Sequence, residues 1–393
     1  MKYLKLVILL TILLNIPGFF LAHVSAIAGT ILSYSTFALI IVYYTFNKKE
    51  KPIVSFVVLG LLYFFISTLV EVQNDTILYS TFIKYFIFVI LGAKVVKDSK
   101  DIEIFIILLL GSLSIIYDLI FISGIEGRFS GFYLNPNLAG FVCILGYCMS
   151  FSITNKKLKI FGQLMFSFAG IVTFSRTFLV IWLFVNIISL TTNFKNIYKI
   201  IAVIFLIGLF LTFGDKLNFN RQRLNSFSSL FEGKVTEDLE NDSRTDVWAT
   251  YYDKILDRPI FGNGYLSLSG KPHIQVDGST RIQGVHNTFL MIMGEAGIIV
   301  FMYFLYIYGK ILISSYKIFR FKPLYFFISV SVVLYMLTSH NYFDNYFMLF
   351  ISIWVFIQLN DIKLVIYKKF NKYTGTGRRI FNQKQFITRS KKF

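Results

Sequence analysis

Apolar stretches of roughly 15 to 23 residues follow one another along the chain, separated by short polar segments. That is the length a helix needs to cross a hydrocarbon layer about 30 Å thick. The stretches fall at about 4–22, 24–46, 52–70, 77–93, 102–122, 138–154, 160–175, 177–192, 200–213, 285–309, 323–338 and 346–359. A membrane barrel needs strands of about ten residues that alternate lipid-facing and lumen-facing positions, and the sequence lacks that alternation. The pattern predicts an all-α membrane protein, a bundle of about 12 transmembrane helices. Its rhythm breaks once, over 214–284, which is too polar for lipid and long enough to fold. The expected organisation is spans one to nine over 1–213, a loop domain over 214–284, spans ten to twelve over 285–359 and a basic tail over 360–393.

Composition reinforces this reading. Hydrophobic residues make up 55% of the chain and charged residues 15%, with a mean hydropathy of +0.65, more apolar surface than a soluble core hides. A net charge of +18 would by itself suggest a nucleic-acid partner. Its distribution says otherwise. With the amino terminus inside, 27 of the 39 Lys and Arg fall in cytoplasmic segments, and the short outer loops hold only Arg128 and Arg176. Cations flanking a span are retained on the cytoplasmic side, so the charge is a topology signal, with contacts to anionic lipid headgroups rather than to nucleic acid. Both termini are expected in the cytoplasm and the long loop outside the cell membrane. Lys2, Lys5 and Val24-Ser25-Ala26 give the first span a signal-peptide look. The apolar character continues past Ala26, which favours an uncleaved anchor. Cys143 and Cys148 lie five apart on one predicted helix and point apart, so neither a disulfide nor a metal site is expected.

The outward segments carry the chemistry. Within the long loop, Asp242 or Ser243 can cap a helix that Asp246 supports and Asp257-Arg258-Pro259 ends. Val247, Trp248, Tyr251, Tyr252, Ile255 and Leu256 give that helix an apolar stripe suited to the membrane or the top of the bundle. Arg244 in its first turn is either neutralised by Asp242 and Asp246 or part of an anion site with the exposed amides. Asn135 and Pro136 read as the start of the sixth span, which leaves Arg128 unexplained. Arg176, in Phe174-Ser175-Arg176-Thr177, either snorkels to the interface or holds a diphosphate headgroup. His286, where the loop re-enters the membrane, is either a satisfied polar residue or a functional one. Lys84 and Asp118 both fall in the outer half of their spans and are expected to pair, since unpaired charges in lipid are costly. Glu295 lies near mid-membrane, as a neutral acid, a structural hydrogen-bonder or a wall of the site.

Five short motifs in order resemble the O-antigen ligase and O-antigen polymerase family of bacterial surface-polysaccharide enzymes. They are Arg128-x-x-Gly131 with Asn135-Pro136-Asn137; Ser175-Arg176; Arg244 with Trp248; Pro259-x-x-Gly262-x-Gly264; and His286-Asn287-x-x-Leu290 with Glu295-x-Gly297. The likeness covers roughly residues 110–310. It implies a glycosyltransferase that needs no metal or other cofactor, acting on the outer face of the bacterial cytoplasmic membrane. The implied partners are a polyprenyl-diphosphate-linked oligosaccharide donor, a glycan acceptor, membrane lipids, and a chain-length regulator or flippase of the same pathway. By match, His286, Arg176 and Arg244 are the catalytic residues. Arg128, Asn137, Asn287, Glu295 and Trp248 are expected to line the substrate site.

Such a transfer requires a base for the acceptor hydroxyl and positive charge for the leaving diphosphate. An imidazole titrates near neutral pH and suits the first task. Guanidinium groups suit the second. Direct displacement with inversion would follow. Two readings stand within the family, a polymerase of O-antigen, capsule or exopolysaccharide and a ligase acting on a lipid A-core acceptor. Outside it, a lipid-linked oligosaccharide transporter would need internal repeats and a charged path through the bundle, and a non-catalytic scaffold would make the Arg and His cluster accidental.

Overall fold

The computed structural model describes residues 1–69, 75–122, 128–192, 244–274 and 280–374, with isolated positions at 194, 197, 201 and 208. Among these residues the chain is helical apart from one small hairpin. The first predicted span is broken: α1 (Lys2–Leu13) and α2 (Ile16–His23) meet at 56°. Pro17 supplies no backbone N–H, and its ring would strike the carbonyl four residues earlier, on Leu13, if the helix ran through. Asn15 takes up the turn with φ 52°, and the freed Leu13 carbonyl accepts the Tyr133 hydroxyl at 3.1 Å.

The other helices follow the apolar stretches. They are α3 (Ala26–Thr45), α4 (Val54–Thr68), α5 (Asp75–Phe86), α6 (Ala93–Asp98), α7 (Asp101–Phe121), α8 (Pro136–Met149), α9 (Lys156–Val172) and α10 (Arg176–Thr192). A π-helical turn, Ile87–Gly92, joins α5 to α6. After the long loop come α11 (Arg244–Asp257), the antiparallel strands β1 (Lys271–Ile274) and β2 (Thr280–Gln283), α12 (Thr288–Lys317), α13 (Pro323–Met336) and α14 (Tyr346–Thr374). Among the described residues, five segments are long and apolar enough to cross a membrane: Ala26–Thr45, Thr76–Asp98, Asp101–Phe121, Thr288–Lys317 and Tyr346–Lys363; the bent α1–α2 pair makes a sixth if taken as one span. Val54–Thr68, Pro136–Ser152, Arg176–Thr192 and Pro323–Met336 are apolar but shorter. Nearly all of the expected ninth span, the loop from 214 to 243 and the tail from 375 lie outside the described residues.

The bundle has two chemically distinct ends. At one, Lys5 donates to Glu103 at 2.6 Å, Tyr43 to Asp98 at 2.8 Å and Lys97 to Glu50 at 2.8 Å, tying the start of α1 to the ends of α3 and α6 and the start of α7. At the other end α8 begins, and every residue from Ala139 to Met149 is buried. A helix apolar on all sides belongs in the middle of a bundle. Phe141 stacks on Tyr335 with centroids 4.0 Å apart, and Phe151 meets Phe327 at 5.0 Å, so α8 and α13 run antiparallel. The end of α13 therefore lies beside the start of α8, and the sequence motifs collect at that end.

Lys84 and Asp118 do not pair. Lys84 donates to Ser33 at 3.2 Å and lies over the Tyr34 ring, whereas Asp118 accepts from the Gly131 amide at 2.6 Å. Each charge found a nearer polar partner than the other.

Candidate functional site

The Arg128 motif builds a socket. Asn135 caps α8, its side chain accepting from the amides of Asn137 and Leu138, as expected. Gly131, at φ 54°, packs so close to α7 that a Cβ would sit 2.1 Å from Ser114 Oγ and 2.8 Å from the Ile115 amide nitrogen. These residues shape the loop that presents the Asn137 side chain. Its Oδ1 accepts from Arg128 Nη2 at 3.4 Å and from Ser175 Oγ at 3.1 Å. Ser175 also caps α10, accepting from the Phe178 amide at 3.3 Å, so Arg176 opens that helix beside the socket, half-buried. The Arg128–Asn137 motif and Ser175, which precedes Arg176, are thus brought together from two separate stretches of chain.

His286 lies at the same end. It holds a left-handed backbone with φ 45°, a conformation non-glycine residues adopt at a cost and often at functional positions. Its ring meets the edge or face of His340 at 81°, with centroids 4.6 Å apart. Gly284 makes room for this pair, because a Cβ there would sit 2.5 Å from His340 Nε2. Thr288 fastens the two segments by donating to the Ser339 carbonyl at 2.6 Å. Burial, and then the neighbouring His286, push the His340 pKa down to about 4, so His340 is uncharged at neutral pH. His340 escaped the sequence reading, although His340-Asn341 repeats the His286-Asn287 dipeptide at a second helix boundary. Asn287 itself caps α12, its Oδ1 taken by the amides of Phe289 and Leu290.

Two further motifs are one structural device. The loop after α11 lies against a break in α12 at Gly297, which has φ 78° and ψ −179°. There the Asn263 amide donates to the Gly294 carbonyl at 2.7 Å, the Gly264 amide to the Glu295 carbonyl at 3.0 Å, and the Ile298 amide to the Pro259 carbonyl at 2.8 Å. A Cβ on Gly262 would come within 2.4 Å of the Glu295 backbone. The Glu295 carboxylate is 1% exposed and accepts from the Tyr63 hydroxyl and the Leu268 amide. These contacts are those of a structural hydrogen-bonder, one of the readings open to Glu295. Tyr251 and Ile255 bury one side of the α11 stripe, while Tyr252 and Leu256 stay exposed. Ile255 lies against Gly294, which carries the stripe's buried side onto α12. Trp248 is half-buried in the same packing. Arg244 is the first residue of α11; its side chain and the expected caps Asp242 and Ser243 lie outside the described residues.

A cavity of about 470 Å³ opens between the α1–α2 bend, α3 and the segment leading into α14. Its lining includes Leu138, next to Asn137, and Asn341, next to His340. The cavity therefore opens at the motif end of the bundle. Residues 161–305 match the sequence model of a family described as O-antigen ligase. The match takes in Ser175-Arg176, α11, the Pro259–Gly264 turn, His286 and Gly297, and leaves out the Arg128 loop and His340. No curated protein matches the chain.

Proposed function

We propose, from the match of residues 161–305 to the O-antigen ligase family, that the chain transfers a glycan from a polyprenyl-diphosphate carrier to a sugar hydroxyl. The family and the apolar helices make it a multi-pass membrane protein of surface-polysaccharide biosynthesis, using a lipid-linked glycan donor and a glycan acceptor. The finer reading is a polymerase on the outer face of the cytoplasmic membrane. In the proposed step His286 takes the acceptor proton as the acceptor oxygen attacks the anomeric carbon. The bond from that carbon to the diphosphate breaks, and its electron pair leaves with the diphosphate. Arg176, Arg128 and Arg244 receive the departing charge, and the anomeric centre inverts.

The family match, together with the His286–His340 pair and the Arg128–Asn137–Ser175 socket at the same end of the bundle, supports this reading. A base for the acceptor hydroxyl and guanidinium groups for the leaving diphosphate are what such a transfer asks of a protein. The family description favours a second reading, ligation to a lipid acceptor. Purified protein in proteoliposomes, supplied with the lipid-linked oligosaccharide, separates the two. Longer glycan on the same carrier marks a polymerase, and glycan appearing only when a lipid A-core acceptor is added marks a ligase. Movement of unchanged donor across the membrane would mark a transporter and overturn the proposal.

A further inference from the structure

The cavity beside the motif end has walls of two kinds. Ile12, Phe37, Ile40 and Phe347 are carbon, whereas Asn15, Ser33, Lys84, Asn341 and Asp344 are polar. One distortion of a membrane-spanning helix borders it, the left-handed Asn15 at the α1–α2 bend, and Lys84 lines it from α5. Such departures from α-helical geometry cost stability and recur at functional positions. Ser33 lies seven residues into α3, roughly 10 Å along the axis at 1.5 Å per residue, so Lys84, bonded to it, holds an ammonium at membrane depth. Among the described residues no carboxylate lies within ion-pair distance of Lys84; its contacts are Ser33 and the faces of Tyr34 and Phe37. Asp344 keeps accessible surface and lines the same space.

These walls decide the class of occupant. An alkyl chain would press methylenes against an ammonium, a carboxylate and two amides, at a cost of kilocalories for each unpaired group. A sugar ring does the opposite. Its hydroxyls both donate and accept, so one ligand satisfies Lys84, Asp344, Asn15 and Asn341 together, while its C–H face rests on Tyr34, Phe37 or Tyr346. A volume of about 470 Å³ lies within the roughly 300–1,000 Å³ of small-ligand sites and fits a short stretch of glycan, not a bare ion.

We propose that this cavity is a glycan-binding subsite, in which Lys84 and Asp344 hold sugar hydroxyls at the motif end of the bundle. The inference rests on the glycan-transfer reading and adds the sugar's seat to it. The test uses full-length protein in proteoliposomes with the polyprenyl-diphosphate oligosaccharide extracted from the producing strain. Lys84→Met and Asp344→Asn are each expected to raise KM about tenfold, the loss of one hydrogen bond to a charged group, with kcat within about twofold. Ser33→Phe, which fills the space, should raise it further. The oligosaccharide released from its lipid should compete with donor for the wild type and not for Lys84→Met, while glycan-free polyprenyl diphosphate should compete equally with both.

Unchanged KM in all three variants at normal membrane levels would overturn the subsite and leave the cavity holding water only. Loss of competition by polyprenyl diphosphate in Lys84→Met, with released glycan unaffected, would overturn it in favour of a lipid occupant. Either failure is distinct from failure of the transfer reading, in which His286→Ala would retain full turnover. Thermal unfolding of each variant in detergent identifies any that is merely misfolded, and Asp344→Asn, nearly isosteric, keeps the test open if Lys84→Met is.

Discussion

Gly297→Ala should detach the segment that carries the histidine motif from the loop that supports it. At φ 78° and ψ −179° the position is in a region open essentially to glycine alone. A methyl there would sit 2.0 Å from the Ile260 carbonyl oxygen and 2.4 Å from its carbon. These are backbone atoms, which cannot rotate aside. Relief requires residues 259–264 to withdraw, and with them go the Asn263, Gly264 and Ile298 hydrogen bonds. Three such bonds contribute about 0.5–1.5 kcal/mol each, and backbone strain adds about 1–3 kcal/mol, for a total of roughly 3–7 kcal/mol. Even the lower figure lowers the thermal midpoint by more than about 5 °C at the rate typical of larger domains. The assay is thermal unfolding in detergent with limited trypsinolysis. Cleavage after Lys254, whose ammonium is held by the Ser267 carbonyl at 2.8 Å and whose neighbour Ile255 is buried, should accelerate. Gly309→Ala on the same helix is the control, since a Cβ there meets nothing within 4 Å. It should stabilise by about 0.5–1 kcal/mol. Wild-type melting and wild-type trypsin resistance in Gly297→Ala would refute this reasoning.

Three further outcomes are expected. His340→Ala should slow transfer roughly 10²-fold by releasing the His286 ring, while His340→Phe, which keeps an aromatic wall, recovers most of the rate; equal rates for Ala and wild type would remove His340 from the site. Because the folded state holds His340 neutral down to about pH 4, the unfolded chain binds the extra proton between about pH 6.5 and 4. Stability should therefore fall as pH drops through that window, at up to about 1.4 kcal/mol per pH unit from this group, and His340→Phe should flatten the dependence of the thermal midpoint. Tyr63→Phe removes the hydroxyl that donates to Glu295 and should cost about 1–3 kcal/mol, read as a lower midpoint; no change would mean that Glu295 finds another donor.

Much of this fold is legible in the pattern of apolar residues, because in lipid nearly every backbone group is satisfied within its own helix and length alone marks a span. The Asn135-Pro136 start of α8 is legible for the same local reason, a capping side chain next to a residue with no N–H. The break at Asn15 is not, since the apolar run continues through it and only Pro17 hints at the turn. Lys84 and Asp118 show a second limit: similar depth on two helices does not give azimuth, and each charge was claimed by a hydroxyl or amide beside it. For the candidate site, spacing singled out Arg128, Asn137, Arg176 and His286 but could not sort binding residues from structural ones. Gly131, Gly262, Glu295 and Gly297 belong to motifs yet serve close backbone packing. His340 lies more than fifty residues from His286, and only the fold brings their rings together.

Transfer by purified His286→Ala protein, given the lipid-linked oligosaccharide and followed by the length or acceptor of its glycan product, is the most direct measurement. Glycan transfer through His286 predicts a fall of about 10²–10⁴ in rate with intact folding and donor binding. Wild-type product formation by the variant would contradict it.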